Sequence, residues 1–150
     1  MKKIKTVLTA IVMLLSISSF ATGPTPDKVT PVVKAAFESD FSKATLVSWE
    51  KKEDFYFASF LLNHVSVDAA YTEAGELIGT SRKISGDQMP LNISMSLTEN
   101  YKGYQVDNSV IELTYAGVIR YYVTVSKENK TLKLKCFSNG EIEVESKVKK

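Results

Sequence analysis

The chain repeats one pattern twice, and internal repetition of that length fixes architecture before any single residue is interpreted. A short amphipathic helical stretch leads into four β-rich stretches, and the same order recurs roughly sixty residues later. The first copy runs from Pro31 through Phe41 to Gly75-Glu76-Leu77, the second from Pro90 through Tyr101 to Gly140-Glu141-Ile142. In the first copy Thr30 stands at an N-cap position and Pro31 at the first helical position, where its missing N–H costs nothing. Val32, Val33, Ala36, Phe37 and Phe41 recur at helical spacing and form one stripe. Strands are expected over 46–52, 54–63, 65–72 and 76–84, separated by turn residues at Asn63-His64 and Ala74-Gly75. In the second copy Met89-Pro90 opens a helix with apolar positions Leu91, Met95 and Leu97, closing near Tyr101-Lys102-Gly103. Its strands are expected over 105–114, 118–126, 130–137 and 141–148, with turns at Ala116-Gly117, Glu128-Asn129 and Asn139-Gly140.

The expected fold is α+β: two tandem repeats (30–84 and 85–150), each one helix plus a four-stranded antiparallel meander. Together they are expected to form one curved sheet, a single domain with both helices on one face. Setting Gly75 on Gly140 places Tyr71 on Cys136, Ala69 on Leu134 and Val67 on Leu132. Because strand side chains alternate, this register separates two faces. Tyr56, Ala58, Phe60, Val67, Ala69, Tyr71, Tyr121, Val123, Val125, Leu132, Leu134, Cys136, Ile142 and Val144 fall toward the helices. The opposite face carries Thr124, Glu141 and Glu143, and with them Phe55, Phe57, Leu61, Arg120, Tyr122, Lys133, Lys135 and Phe137. Aromatic residues and Arg on an uncovered sheet have the composition of a protein-binding surface, so these eight form the candidate partner face. Cross-strand pairing on an ordinary exposed sheet would use the same residue types.

Residues 1–21 stand outside this pattern. Lys2, Lys3 and Lys5 precede an apolar run from Val7 to Ile17, and Ser19-Phe20-Ala21 supplies small residues for a signal peptidase, giving cleavage after Ala21. The run is shorter than the ~20 residues a membrane helix needs, so no span is expected after cleavage. Residues 22–29 then form a tether, and the product is expected to be periplasmic or secreted. Three of the 19 Lys+Arg precede residue 22, leaving 16 against 17 Asp+Glu. A near-neutral chain without a basic stripe is a poor nucleic-acid binder.

Chemistry is sparse. Cys136 is the only cysteine and His64 the only histidine. Cys136 alternates in phase with Leu132 and Leu134 and reads as a buried small hydrophobe, with an intermolecular disulfide as the alternative. His64 falls at a turn. Asp54, Asp68, Glu73, Asp87 and Asp107 are placed at turns or strand edges, where acids serve solubility. Spacings for a metal site, a Walker loop, a nucleophile elbow or a dinucleotide fingerprint do not occur. No catalytic residue, cofactor or metal is expected.

Phe41 and Tyr101 close the two helices, Trp49 sits on the following strand, and Tyr56-Phe-Ala-Ser-Phe and Tyr121-Tyr-Val-Thr-Val form the second strands. With Gly75-Glu-Leu-Ile ahead of the Pro90 helix, the pattern resembles the PepSY-like exported proteins of Bacteroidota, related in fold to β-lactamase inhibitory protein. The resemblance implies a non-enzymatic exported module whose partner is another exported protein. Asn63-His64 departs from the Asn-Gly such families often place between strands two and three. A carrier of a small hydrophobic or peptide ligand, held between helices and sheet, is the alternative function.

Overall fold

The computed structural model describes residues 29–149, so the signal segment and its cleavage point lie outside the described residues. In chain order the elements are α1 (Pro31–Asp40), β1 (Thr45–Lys52), β2 (Phe55–Leu62), β3 (Val65–Thr72) and β4 (Leu77–Ser85). A short helical turn (Gly86–Gln88) leads to α2 (Leu91–Asn100), β5 (Gln105–Val106), β6 (Ser109–Tyr115), β7 (Val118–Lys127), β8 (Lys130–Phe137) and β9 (Ile142–Lys149). The class is α+β, with antiparallel ladders and two helices among the described residues. The chain divides into two compact units, one ending at Arg82 and the other beginning at Lys83.

In the first unit, α1 begins as its sequence dictates: the Thr30 hydroxyl accepts the Val33 N–H at 3.3 Å, and Pro31 occupies the first turn. The helix ends where the Phe41 N–H donates to the Phe37 carbonyl at 2.8 Å. Val33 and Phe37 are buried, with Ala36 and Phe41 beside them, against Tyr56, Ala58, Phe60, Val67, Ala69 and Tyr71. Val32, expected on this stripe, is 56% exposed. Phe37 is the hub, with ring centroids 5.0 Å from Phe60, 5.1 Å from Trp49 and 6.4 Å from Tyr71 in edge-on arrangements. Each such pair adds about 0.5–1.5 kcal/mol beyond burial, which makes Phe37 a principal attachment of the helix to the sheet. The Tyr71 hydroxyl, 2.8 Å from Asp40 Oδ2, anchors the last turn of α1 to β3. The strands run β1-β2-β3-β4, with a bulge between Thr45 and Ser48 where Leu46 takes a φ of 52°.

The second unit has its own core, with Ile93, Leu97, Tyr121, Val123, Val125, Leu132, Leu134 and Cys136. Here the expected stripe of α2 is corrected: Leu91 is 72% and Met95 61% exposed, and Ile93 is fully buried. The cause is the cap. Pro90 is the N-cap of α2, whereas Pro31 lies inside α1, so Ile93 and Val33 both hold the third helical position. One residue rotates a helical face by about 100°, enough to turn Leu91 and Met95 to solvent. The expected strand 105–114 is also broken. Asp107 Oδ1 accepts the Ser109 N–H at 2.9 Å, and the Asn108 main-chain and side-chain oxygens both accept the Gly86 N–H, at 2.9 and 3.1 Å. The Asp107 N–H still donates to the Thr124 carbonyl of β7 at 2.9 Å, but Asn108 is turned to Gly86, and β5 remains a two-residue strand on β7. The order is β6-β7-β8-β9, and a register shift separates Lys133 from Leu134. Val144, expected to be covered, is 44% exposed on the terminal strand β9.

Both units close their last hairpin identically. Thr72 N–H donates to the Glu76 carbonyl and Gly75 N–H to that of Thr72; Phe137, Glu141 and Gly140 repeat the pair, all at 2.9–3.0 Å. Gly75 and Gly140 have φ of +82° and +91°, and each presses on its helix. A Cβ on Gly75 would lie 3.2 Å from the Val32 carbonyl oxygen, and one on Gly140 3.2 Å from that of Asn92. Glycine is required at both places by conformation and by contact.

Candidate functional site

The side of each sheet away from its helix is built from the alternate residues of the ladders. In the first unit, register sets Ser48, Ser59, Asp68 and Ser81 in one row across four strands, and Glu50, Phe57, Ala70 and Gly79 in the next. Phe55 and Leu61 flank these rows and are half-buried. Phe57 is on the expected face but is not open: it is 2% exposed, and Ala70 beside it 0%. Asp68 is likewise not at an edge. It lies mid-strand in β3, 5% exposed, accepting the Ser59 hydroxyl at 2.5 Å. Burial raises its carboxyl pKa above the ordinary value, and the Ser59 bond pulls partly the other way. The Ser81 hydroxyl is buried with no hydrogen-bond partner among the described residues.

In the second unit, Arg120 opposes Leu113 and Phe137, while Tyr122 opposes Ile111 and Lys135. Tyr122 is 7% and Leu113 0% exposed, so the centre of this face is apolar and dry. The expectation that Phe57 and Tyr122 present open aromatic surface is therefore corrected. Both are large aromatics on strands paired on both sides, away from the sheet edges. Desolvation raises the Tyr122 phenol pKa; Glu145 adds to the rise and Arg120 opposes it. Around this centre Arg120, Lys135 and Phe137 are half-buried and Lys133 is exposed. Lys135 Nζ sits 2.7 Å from Glu143 Oε2 and 4.9 Å from the Phe137 ring centroid. The Nε of Arg120 is buried with no hydrogen-bond partner among the described residues. Counting back from the Ala116-Gly117 turn, which pairs Tyr115 with Val118, is the signal that would have put Leu113 and Ile111 on this face.

On the helix side, the first unit has a groove of about 520 Å³ between α1 and β1, lined by Phe37, Phe41, Ala44, Val47 and Trp49, with Lys34, Glu38 and Ser42 also lining it. The second unit has a smaller one of about 270 Å³, among Met89, Ser94, Leu97, Thr98, Val106 and Asn108. Lys34, Phe37 and Glu38 correspond to Ser94, Leu97 and Thr98 at the sixty-residue offset.

Chemically reactive groups lie apart from these surfaces. Cys136 is fully buried, and burial pushes its thiol pKa up to about 12. His64 is exposed in the two-residue turn between β2 and β3, where it and Asn63 have φ of 67° and 51°. Among the described residues no group of three or more His, Cys, Asp or Glu is placed to hold a metal. No helix among them is long and apolar enough to cross a membrane.

No protein-family model matches the chain, and no curated protein matches it in sequence. Solved structures do. A BLIP-like protein of Bacteroides fragilis superposes with a TM-score of 0.70 at 19% identity, covering 87% of this chain and 91% of that one. A DUF2874 family protein of Bacteroides uniformis gives 0.68 at 18% identity, covering 80% of this chain and 88% of that one. A protein of Bacteroides eggerthii, proposed to be periplasmic, gives 0.65 at 18% identity and covers 85% and 90%. At these identities the likeness is one of fold: the chain is similar to BLIP-like structures along most of its length.

Proposed function

We propose that the chain is an exported, non-enzymatic protein-binding module of PepSY-like type, and that its partner is another exported protein. The partner seats on the sheet face that the helices leave uncovered. The observation that carries this reading is Arg120. Its Nε is out of water and without an acceptor, next to dry Leu113 and Tyr122 and to half-exposed Phe137. A buried donor left unsatisfied costs about 1–3 kcal/mol, and more when charged, a cost that is relieved if the half-buried Arg120 side chain turns outward to an acceptor on a partner. A dry apolar centre ringed by Arg and aromatic residues is also how protein interfaces are composed. The exposed turn position of His64 and the inert thiol of Cys136 support a role without catalysis. Similarity in fold to a BLIP-like protein and to a protein proposed to be periplasmic supports the module and its export.

The test is co-purification from the native envelope followed by mass spectrometry, comparing the unaltered chain with Arg120→Ala and Phe137→Ser. The reading requires a partner that is lost from both variants while their melting temperatures stay put. A partner retained by both variants would remove the face from consideration. The alternative, a carrier of a small hydrophobic or peptide ligand, is favoured by the aromatic lining of the groove between α1 and β1.

A further inference from the structure

The two copies differ in what lies along their first long strand. In the second unit that strand is β6. The end of β4, Lys83–Ser85, belongs to this unit and is the neighbour of β6 on the side away from β7. From it Ile84, 6% exposed, packs with Ile93, Leu97 and Val110 beneath α2. In the first unit the corresponding strand is β1, which among the described residues pairs with β2 alone. The correspondence is set by register. Trp49 opposes Ala58, and Val110 precedes Ile111, which opposes Tyr122, so Trp49 and Val110 hold one place when Ala58 is laid on Val123. Val110 is 0% exposed in the cluster that includes Ile84, whereas Trp49 lines the groove of about 520 Å³.

We propose that this groove receives an extended segment of another polypeptide, which adds to the free edge of β1 and inserts one aliphatic side chain against Trp49, Phe37 and Phe41. The occupant copies what Lys83–Ser85 does in the second unit. Ser48–Lys52 is regular, with its bulge confined to the residues before Ser48, so alternate N–H and C=O groups of this stretch point away from β2. A strand added there places every second side chain on the helix side, and backbone bonds with alternate pockets are how edge-strand recognition works. The chain's own preceding segment is the wrong chemistry for the position. At the sixty-residue offset, Lys83-Ile84-Ser85 corresponds to Gly23-Pro24-Thr25, which has no aliphatic side chain for the groove and, at Pro24, no N–H for the ladder. This site is separate from the face bearing Arg120 and stands or falls without it.

Trp49 is the single tryptophan of the chain and so reports on its own groove. The probe is a capped synthetic peptide with the sequence of residues 80–87, Thr-Ser-Arg-Lys-Ile-Ser-Gly-Asp. Titrated into the protein, it is expected to shift Trp49 emission to the blue in a saturable manner and to move the amide resonances of Val47–Lys51. Ile84→Ser in the peptide is expected to weaken binding about tenfold or more, the worth of one buried aliphatic side chain. Ser42→Arg in the protein, at an exposed lining residue, is expected to do the same while far-UV circular dichroism and melting are unchanged. Any of four results overturns the proposal: no saturation at millimolar peptide, equal binding of the Ser peptide, amide shifts confined to β6 and α2, or a blue shift on dilution-sensitive self-association without peptide. A Trp49 emission that changes on deleting residues 22–28 would overturn it too, assigning the groove to the chain's own tether.

Discussion

Gly117 and Gly140 separate two costs that a glycine in a turn usually conflates. Both have left-handed backbones, with φ of +76° and +91°, but a Cβ on Gly117 would meet nothing within 4 Å. On Gly140 it would lie 3.0 Å from Ser96 Oγ, 3.2 Å from the Asn92 carbonyl oxygen and 3.4 Å from Asn92 Cβ. An L-residue in the left-handed region costs about 1–2 kcal/mol, and alanine returns roughly 0.4–1 kcal/mol by restricting the unfolded chain. Gly117→Ala is thus expected to destabilise by about 1 kcal/mol or less. Gly140→Ala carries the same backbone cost plus an overpacking cost of about 1–3 kcal/mol, because the helix carbonyl cannot rotate away as a side chain would. The expected difference between the variants is therefore about 1–3 kcal/mol. With a urea slope of about 1–3 kcal/mol/M, that separates the two midpoints by roughly 1 M. Equilibrium urea unfolding of both variants, followed by circular dichroism, measures it. Equal midpoints would refute the claim that the hairpin is packed onto the helix.

Gly75→Ala should behave like Gly140→Ala, since its Cβ would lie 3.1 Å from Val32 Cγ1 and 3.2 Å from the Val32 carbonyl oxygen. His64→Gly is expected to raise stability by up to about 1 kcal/mol, because the φ of 67° suits glycine better than histidine; a fall in the urea midpoint would show that the imidazole makes a contact worth more than the strain. Phe37→Ala should cost about 3–5 kcal/mol, whereas the exposed neighbour Val32→Ala should stay within about 0.5 kcal/mol. Asp68 gives a pH signature. Its folded pKa lies above the ordinary 3.8, so as pH rises the unfolded chain sheds this proton first and stability falls through the interval between the two values, levelling off above it. Asp68→Asn should lack that fall in urea midpoints measured from pH 3.5 upward, and identical pH profiles for both proteins would exclude a buried, desolvated carboxyl.

The strands were readable wherever a turn residue fixed their phase. Gly75 and Gly140 carry the register of their two units, so the inward positions of β2, β3, β7 and β8 follow from counting by two. Helix faces were harder. The expected set Leu91, Met95 and Leu97 mixes two stripes: Leu97 is buried together with Ile93, while Leu91 and Met95 are exposed, and only the cap position of Pro90 chooses between them. The break at Asp107-Asn108 depends on a hydrogen bond from Gly86, twenty-two residues away, which no local pattern carries. Alternation separates Phe57, Tyr122 and Arg120 from the residues that pack against the helices but says nothing of depth: Phe57 and Tyr122 are buried and Arg120 is half-buried. Asp68 escaped notice for the same reason: a charged residue between Val67 and Ala69 looks like the solvent side of an alternating strand.

The fate of Cys136 has a temporal side. In the folded chain the thiol is fully buried and its pKa is pushed up to about 12, so almost no thiolate exists to attack an oxidant or a disulfide. In the unfolded chain the same sulfur is an ordinary, accessible nucleophile, and with no second cysteine in the chain it can only join to another molecule. Under oxidising conditions folding is therefore a race between closure of the β8 core and capture of the thiol, and the sulfur stays protected for as long as that core stays closed. Disulfide-linked dimers in a preparation of this protein would count the molecules that lost, a chemical record of how long the second unit stayed open.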